Sequence, residues 1–172
     1  TQCLQADFLE MAIRHLRSHK ERCAGSTYWQ VNDTYPTISW ATIDYYGRWK
    51  GAQYVVKRSY APQGAYVEAD EWGKAELYVY SEALKPEKLT YRLALMEQGQ
   101  EPIREACGEL TLEPLSSAKA VEWQLPELDQ FRRRDCYLHY EIAKDGIVIE
   151  SGNRLLEMPK AFRFCDPKLE TK

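Results

Sequence analysis

The 172-residue sequence is short of several things, and each shortage argues against a class of protein. Apolar residues nowhere run on for the roughly 18 positions that suggest a membrane span. The five cysteines, Cys3, Cys23, Cys107, Cys136 and Cys165, are odd in number, far apart and without a C-x-x-C pair. That spacing argues against a zinc site or a dense disulfide framework. Buried free thiols are the expectation, with one bridge in the second half left open. A Gly-rich phosphate loop, a nucleophilic serine with a paired histidine and metal-ligand spacing are all missing, so no cofactor and no metal is expected. His15 and His19 stand four apart without the carboxylate motif of a helical metalloprotease and read as surface or helix-end histidines. An excess of positive charge is missing as well. Net charge is −3; residues 1–62 carry eight basic and five acidic side chains, and residues 63–172 carry fifteen and twenty-one. Neither part has the basic face of a nucleic-acid binder, and neither nucleic acid nor membrane is an expected partner. Arg132-Arg133-Arg134, between Asp129 and Asp135, is the one basic run and reads as a solvated turn.

What is present suits a soluble globular chain: 44% hydrophobic and 28% charged residues. The sequence opens at Thr1 without a Met and without a basic-then-apolar leader, which reads as a piece of a longer protein, although a processed terminus looks the same. The compartment is not readable. The most distinctive stretch is Tyr28-Trp29-Gln30-Val31-Asn32-Asp33-Thr34-Tyr35-Pro36-Thr37-Ile38-Ser39-Trp40. It combines indole and phenol faces with planar hydrogen-bonding groups, the chemistry a pyranose needs for its C–H face and its hydroxyls. The competing reading is a Trp-rich core strand with a polar turn, because aromatics supply much of any core's burial.

In chain order, residues 2–20 read as a helix. Its apolar stripe is Leu4, Phe8, Met11, Ala12 and His15, widened by Leu9, Ile13 and Leu16. Arg14, Arg17, Lys20 and Arg22 gather toward its C-terminal end, where they suit the helix dipole, and Gly25 marks a stop. Residues 26–33 read as a strand, followed by a loop with Pro36. A second helix runs from about Gly47 to Tyr60, with Trp49, Ala52, Val56 and Tyr60 on one face. After Pro62-Gln63-Gly64 the period changes to two. Alternating runs around residues 66–69, 75–80, 89–95, 110–112, 121–125, 137–142, 147–149 and 161–164 give about seven strands. Turns fall at Pro86, Gly99, Pro114, Pro126 and Asp145-Gly146. Asp-Gly between apolar runs is a hairpin signal, because both central residues must accept positive φ. The fold class is mainly β: an immunoglobulin-like antiparallel β-sandwich, with Trp123 as a core residue, behind a helix-strand-helix segment.

The motif series Tyr28-Trp29-Gln30-Val31-Asn32-Asp33, Ser39-Trp40, Asp44-Tyr45-Tyr46-Gly47-Arg48-Trp49-Lys50 and Tyr60-Ala61-Pro62 resembles the end of the catalytic barrel in family 2 glycoside hydrolases of the β-mannosidase type. There W-Q-x-N-D, S-W, D-Y-x-G-R-W-K and F/Y-A-P occur in this order at similar spacing. The resemblance implies residues 1–62 as the last unit of a (β/α)₈ barrel, residues 63–166 as the immunoglobulin-like domain and residues 167–172 as a linker to a further domain. It implies an exo-acting retaining glycosidase releasing terminal β-D-mannose, with the rest of the barrel and the flanking domains as partners. The barrel's chemistry sits at the C-terminal ends of its strands, which makes Trp29, Asn32, Asp33 and Trp40 the candidate substrate-binding residues. Trp29 is the expected floor under the terminal sugar and Trp40 a wall. Asn32 and Asp33 bind hydroxyls or pin the loop; Trp40 and Trp49 are alternatively core residues; Arg48 is expected in a structural salt bridge. Retaining hydrolysis needs two carboxyl groups about 5–5.5 Å apart, and by resemblance both are Glu lying upstream of Thr1. No residue of this chain matches either, so the chain alone is expected to be inactive. Two other readings compete. One is a carbohydrate-binding or adhesion module using Trp29 or Trp123. The other is a structural interaction domain whose Tyr78 and Tyr80 form an exposed face.

Overall fold

The computed structural model describes residues 2–98, 100–126, 128, 132–166 and 168. In order it forms α1 (Gln2–Ser18), α2 (Gly51–Ser59), β1 (Gln63–Ala69), β2 (Lys74–Ser81), β3 (Glu87–Glu97), β4 (Arg104–Leu112), β5 (Ser117–Gln124), a 3₁₀ turn at Arg132–Arg134, β6 (Cys136–Lys144) and β7 (Ile147–Leu155). The strands make a three-stranded sheet in the order β1-β2-β5 and a four-stranded sheet in the order β4-β3-β6-β7. The chain divides into two compact units. One holds residues 1–66, 79–87 and 112–118; the other holds 67–78, 88–111 and 119–172.

The second unit is the β-sandwich. Its strands alternate as the period-two pattern requires: Leu138, Tyr140 and Ile142 of β6 are buried, as are Leu89, Leu93 and Leu95 of β3, Ala75 and Leu77 of β2, and Val121 and Trp123 of β5. Leu93 stands opposite Tyr140 and Leu95 opposite Leu138, so one face of the antiparallel β3–β6 pair supplies core. Trp123 is buried with the Arg104 guanidinium 4.7 Å from its ring centroid, the core role expected of it. The β6–β7 hairpin turns at Asp145 (φ 51°) and Gly146 (φ 79°), both left-handed as the two-residue turn demands.

In the first unit α1 packs on α2 through Ala6, Leu9, Ala52 and Val55. The anchors below them are two arginines. Arg14, only 2% exposed, donates from Nη1 to the Ala65 carbonyl at 2.9 Å and from Nε to Glu10 Oε1 at 3.0 Å. Arg17 donates to the carbonyls of Ser59 and Ala61 and to Glu82 Oε1, with its guanidinium 4.5 Å over the Tyr80 ring. Burying a guanidinium is costly unless its donors are matched, and here they are matched largely by backbone oxygens.

Several expectations are corrected. The Leu4–Phe8–Met11–Leu16 side of α1 is exposed, whereas Ala6, Ile13, Arg14, Arg17 and Ser18 are buried. A helix with apolar residues on most of its circumference does not announce which side packs, and here α2 and the arginine acceptors choose the other one. Residues 26–33 make no strand; Asn32 forms a single parallel bridge with Ile43. Among the described residues, only the 42–43 segment offers residues 30–33 a ladder, through Thr42 N to Gln30 O, Ile43 N to Val31 O and Asp33 N to Ile43 O. The second helix starts at Gly51, because Gly47 is held at φ 78° in a turn and Lys50 is extended. Residues 161–164 form no strand either: the amides of Ala161 and Phe162 both donate to the Met158 carbonyl, which closes a turn. Tyr80 is fully buried under Arg17, which removes it from any exposed tyrosine face. All five cysteines are free, but only Cys136 is buried, and burial raises its thiol pKa; Cys3, Cys107 and Cys165 are exposed. The turn placed at Gly99 lies outside the described residues, as does the 167–172 linker apart from Lys168. Among the described residues no helix is long and apolar enough to cross a membrane.

Candidate functional site

The segment between the two helices carries the candidate residues on an irregular backbone with a few fixed points. Asp44 makes the first. Its Oδ1 accepts the Tyr46 and Arg48 amides at 2.9 Å each, and Oδ2 accepts Arg48 Nε at 2.7 Å. The Arg48 amide bond, aided by the guanidinium, holds this carboxyl below the usual range. The expected Arg48 salt bridge is therefore present. Thr42, fully buried, makes the second point by donating to the Val31 carbonyl at 3.1 Å.

Lys50 makes the third. Its Nζ lies 3.4 Å from Asp33 Oδ2 and 3.4 Å from Ser39 Oγ, while its amide donates to the Thr42 carbonyl at 2.9 Å. One ammonium thus ties the end of the Trp29–Asp33 segment to the residue before Trp40. Asp33 is buried, with a side chain only 3% exposed. Pinning the loop, one of the two roles expected of it, is the role its geometry serves. Asn32 is exposed, and its Nδ2 donates to the Asp33 carbonyl at 3.3 Å.

Trp29 and Trp40 are not core residues: they are 77% and 75% exposed. The Trp29–Gln30 peptide bond is cis. Both indoles line a cavity of about 880 Å³ together with Ile38, Lys50 and the Leu4 and Phe8 side of α1. Trp49, the alternative core residue, is also half out of the body, edge-on to Tyr54 at 5.1 Å. The sequence reading named Trp29, Asn32, Asp33 and Trp40, and the fold brings Trp29 and Trp40 onto one cavity with Asp33 held just behind Lys50. It missed Lys50 as an organiser. The available signal was the Asp33 carboxylate itself, since a buried charge requires a partner and Lys50 closes the neighbouring motif.

These features define an immunoglobulin-like β-sandwich joined to a helical segment that displays unburied indoles on an apolar cavity. Residues 73–161, just over half of the sequence, match the family described as the Mannosidase Ig/CBM-like domain, and the chain belongs to that family. It is 36% identical over 198 residues to β-mannosidase A of Aspergillus terreus and 27% identical over 191 residues to that of Aspergillus fumigatus. These alignments take in 100% and 99% of this chain but 20% of each relative, so the chain spans about a fifth of their length. The crystal structure of β-D-mannosidase from Dictyoglomus thermophilum superposes with a TM-score of 0.77 at 23% identity, covering 90% of this chain and 19% of that one. That likeness shows the fold. The relatives named here are glycoside hydrolases.

Proposed function

We propose that the chain is part of an exo-acting, retaining glycoside hydrolase of the β-mannosidase type, releasing terminal β-D-mannose. In this reading residues 1–62 are the last unit of its (β/α)₈ barrel, residues 63–166 the accessory sandwich and residues 167–172 a link onward. The observation that carries the reading is the pair of exposed indoles, Trp29 and Trp40, on one cavity of a chain whose full length aligns with β-mannosidases. Trp29 stacks under the terminal sugar, Trp40 walls the neighbouring position and Asn32 meets a hydroxyl. Asp33 acts through Lys50 to keep the two aromatic segments in register. Both catalytic carboxylates come from chain outside these residues: among the described residues that line the cavity none is an acid, and Asp33 behind it is buried on an ammonium. A neighbouring barrel unit covers the exposed Leu4, Phe8, Met11 and Leu16 stripe and so fills the helix side of the cavity, leaving its indole side to the sugar.

The test is made in the intact parent enzyme with p-nitrophenyl β-D-mannoside. Trp29→Ala is expected to lower kcat/KM by about 100-fold, the scale of a lost substrate-orienting surface, with the fold intact by circular dichroism. The 172-residue chain alone is expected to show no hydrolysis. A parent that cleaves no β-mannoside, or a Trp29→Ala parent with unchanged kcat/KM, overturns the proposal.

A further inference from the structure

The turn between β1 and β2 holds Trp72 away from the sandwich unit, with 83% of the residue exposed. Loop tips are usually the least ordered part of a domain, yet this one is fixed from several directions. Asp70 Oδ1 accepts the amides of Trp72 and Lys74 at 2.8 and 2.9 Å, and the Asp70 amide donates to the Lys74 carbonyl at 3.0 Å. Gly73 sits at φ 86°, and its carbonyl accepts the Leu125 amide at 2.9 Å. A Cβ at Gly73 would stand 3.1 Å from the Leu125 carbonyl oxygen, so glycine is required twice over. Arg133, expected to be a solvated turn residue, instead donates to the carbonyls of Asp70 (2.6 Å), Glu71 and Leu156 (3.3 Å). An indole left in water adds little to the core. Held rigid by its backbone, with only two side-chain torsions to freeze, it loses little entropy when a ligand covers it.

The surroundings select the ligand. Arg133 is committed to carbonyls, and Lys74 is paired with Glu76 at 2.9 Å. Asp70 and Glu71, the two residues before Trp72 in the turn, are exposed acids, which accept hydrogen bonds and repel anions. Residues 63–172 carry six more acidic than basic side chains, which opposes anions further. A fitting partner offers a flat C–H face and hydroxyl donors and carries no negative charge. We propose that Trp72 is the stacking platform of a second binding site, on the sandwich unit, for a neutral saccharide. This site does not depend on the Trp29–Trp40 cavity or on the activity proposed above.

The experiment titrates the 172-residue chain with β-1,4-mannotetraose, followed by calorimetry and by the indole Nε1–H resonances, with tetragalacturonate as the anionic control. Saturable binding with a millimolar Kd is expected. In a Trp29→Ala/Trp40→Ala background, which removes the indoles of the first site, Trp72→Ala should weaken it about tenfold and Trp72→Phe less. Circular dichroism checks that each variant folds; if Trp72→Ala does not, Trp72→Phe and the wild-type indole shifts decide. Absence of saturable binding up to about 10 mM, mannotetraose binding that Trp72 variants do not alter, or equal binding of tetragalacturonate overturns the proposal.

Discussion

The two units differ in how they place the large apolar residues of their regular elements. The sandwich unit puts Leu89, Leu93, Leu95, Trp123, Leu138 and Ile142 inside, and the alternation of its strands accounts for nearly all of them. The helical unit leaves Leu4, Phe8, Trp29, Ile38 and Trp40 outside and buries two arginines beside the smaller Ile13, Val55 and Val56. The first is the economy of a body that completes its own core. The second fits a surface whose apolar side is matched by something else, and it makes the helical unit rely on polar anchors for its internal order.

The contrast can be tested by substitution in the 172-residue chain, with urea unfolding as the readout. Leu138→Ala is expected to cost about 3 kcal/mol, the transfer and cavity cost of a filled core position. Phe8→Ala is expected to cost less than about 0.5 kcal/mol in the same chain, as a surface change does. In the intact parent the same Phe8→Ala should cost about 3 kcal/mol, because there the proposed barrel neighbour covers it. Equal costs in the two backgrounds would erase the distinction between the units' surfaces. Arg17→Met comes next. It keeps the aliphatic length but strands the Ser59 and Ala61 carbonyls, at about 2 kcal/mol. A loss below about 0.5 kcal/mol would mean those carbonyls find water easily.

The same contrast explains what the sequence disclosed. Period-two alternation and the Asp145-Gly146 pair placed the sandwich strands and their hairpin, because both signals are local and the unit's partners lie within the chain. The helix limits of α1 were equally plain. Its packed side was not, since Ala6, Leu9 and Ile13 on one side and Leu4, Phe8 and Met11 on the other satisfy the same period. Arg14 and Arg17 looked like dipole partners because nothing in a linear pattern reveals that backbone oxygens of residues 59, 61 and 65 come to meet them. The 26–33 strand failed because laddering depends on a neighbour that the sequence pattern does not specify. In the candidate site Trp29 and Trp40 were read as ligand surfaces or core, and their exposure excludes core, whereas the Lys50 tie was visible only once Asp33 proved to be buried.

Two smaller effects sharpen the picture. Burial pushes the Glu82 carboxyl up, but the hydrogen bonds from Lys20 and Arg17 outweigh it, and the group titrates below its ordinary value of 4.5. The folded state therefore holds this proton less readily than the unfolded one. The stabilisation is complete above about pH 4.5 and fades as pH falls through the lowered value. Glu82→Gln should flatten that acid slope in pH-dependent melting, and an unchanged slope would assign it to other carboxylates. The smallest expected change is Gly146→Ala. No atom lies within 4 Å of the added Cβ, so only the left-handed backbone is penalised, at about 1 kcal/mol.

Arg14 and Arg17 grip main-chain oxygens at 59, 61 and 65, and every amino acid carries such an oxygen. The hold itself is consequently indifferent to which side chains stand at those three positions, and only the packing around the buried Ser59 and Ala65 constrains them. Methods that infer contacts from paired substitutions would be blind to this junction, although the helical unit closes around it.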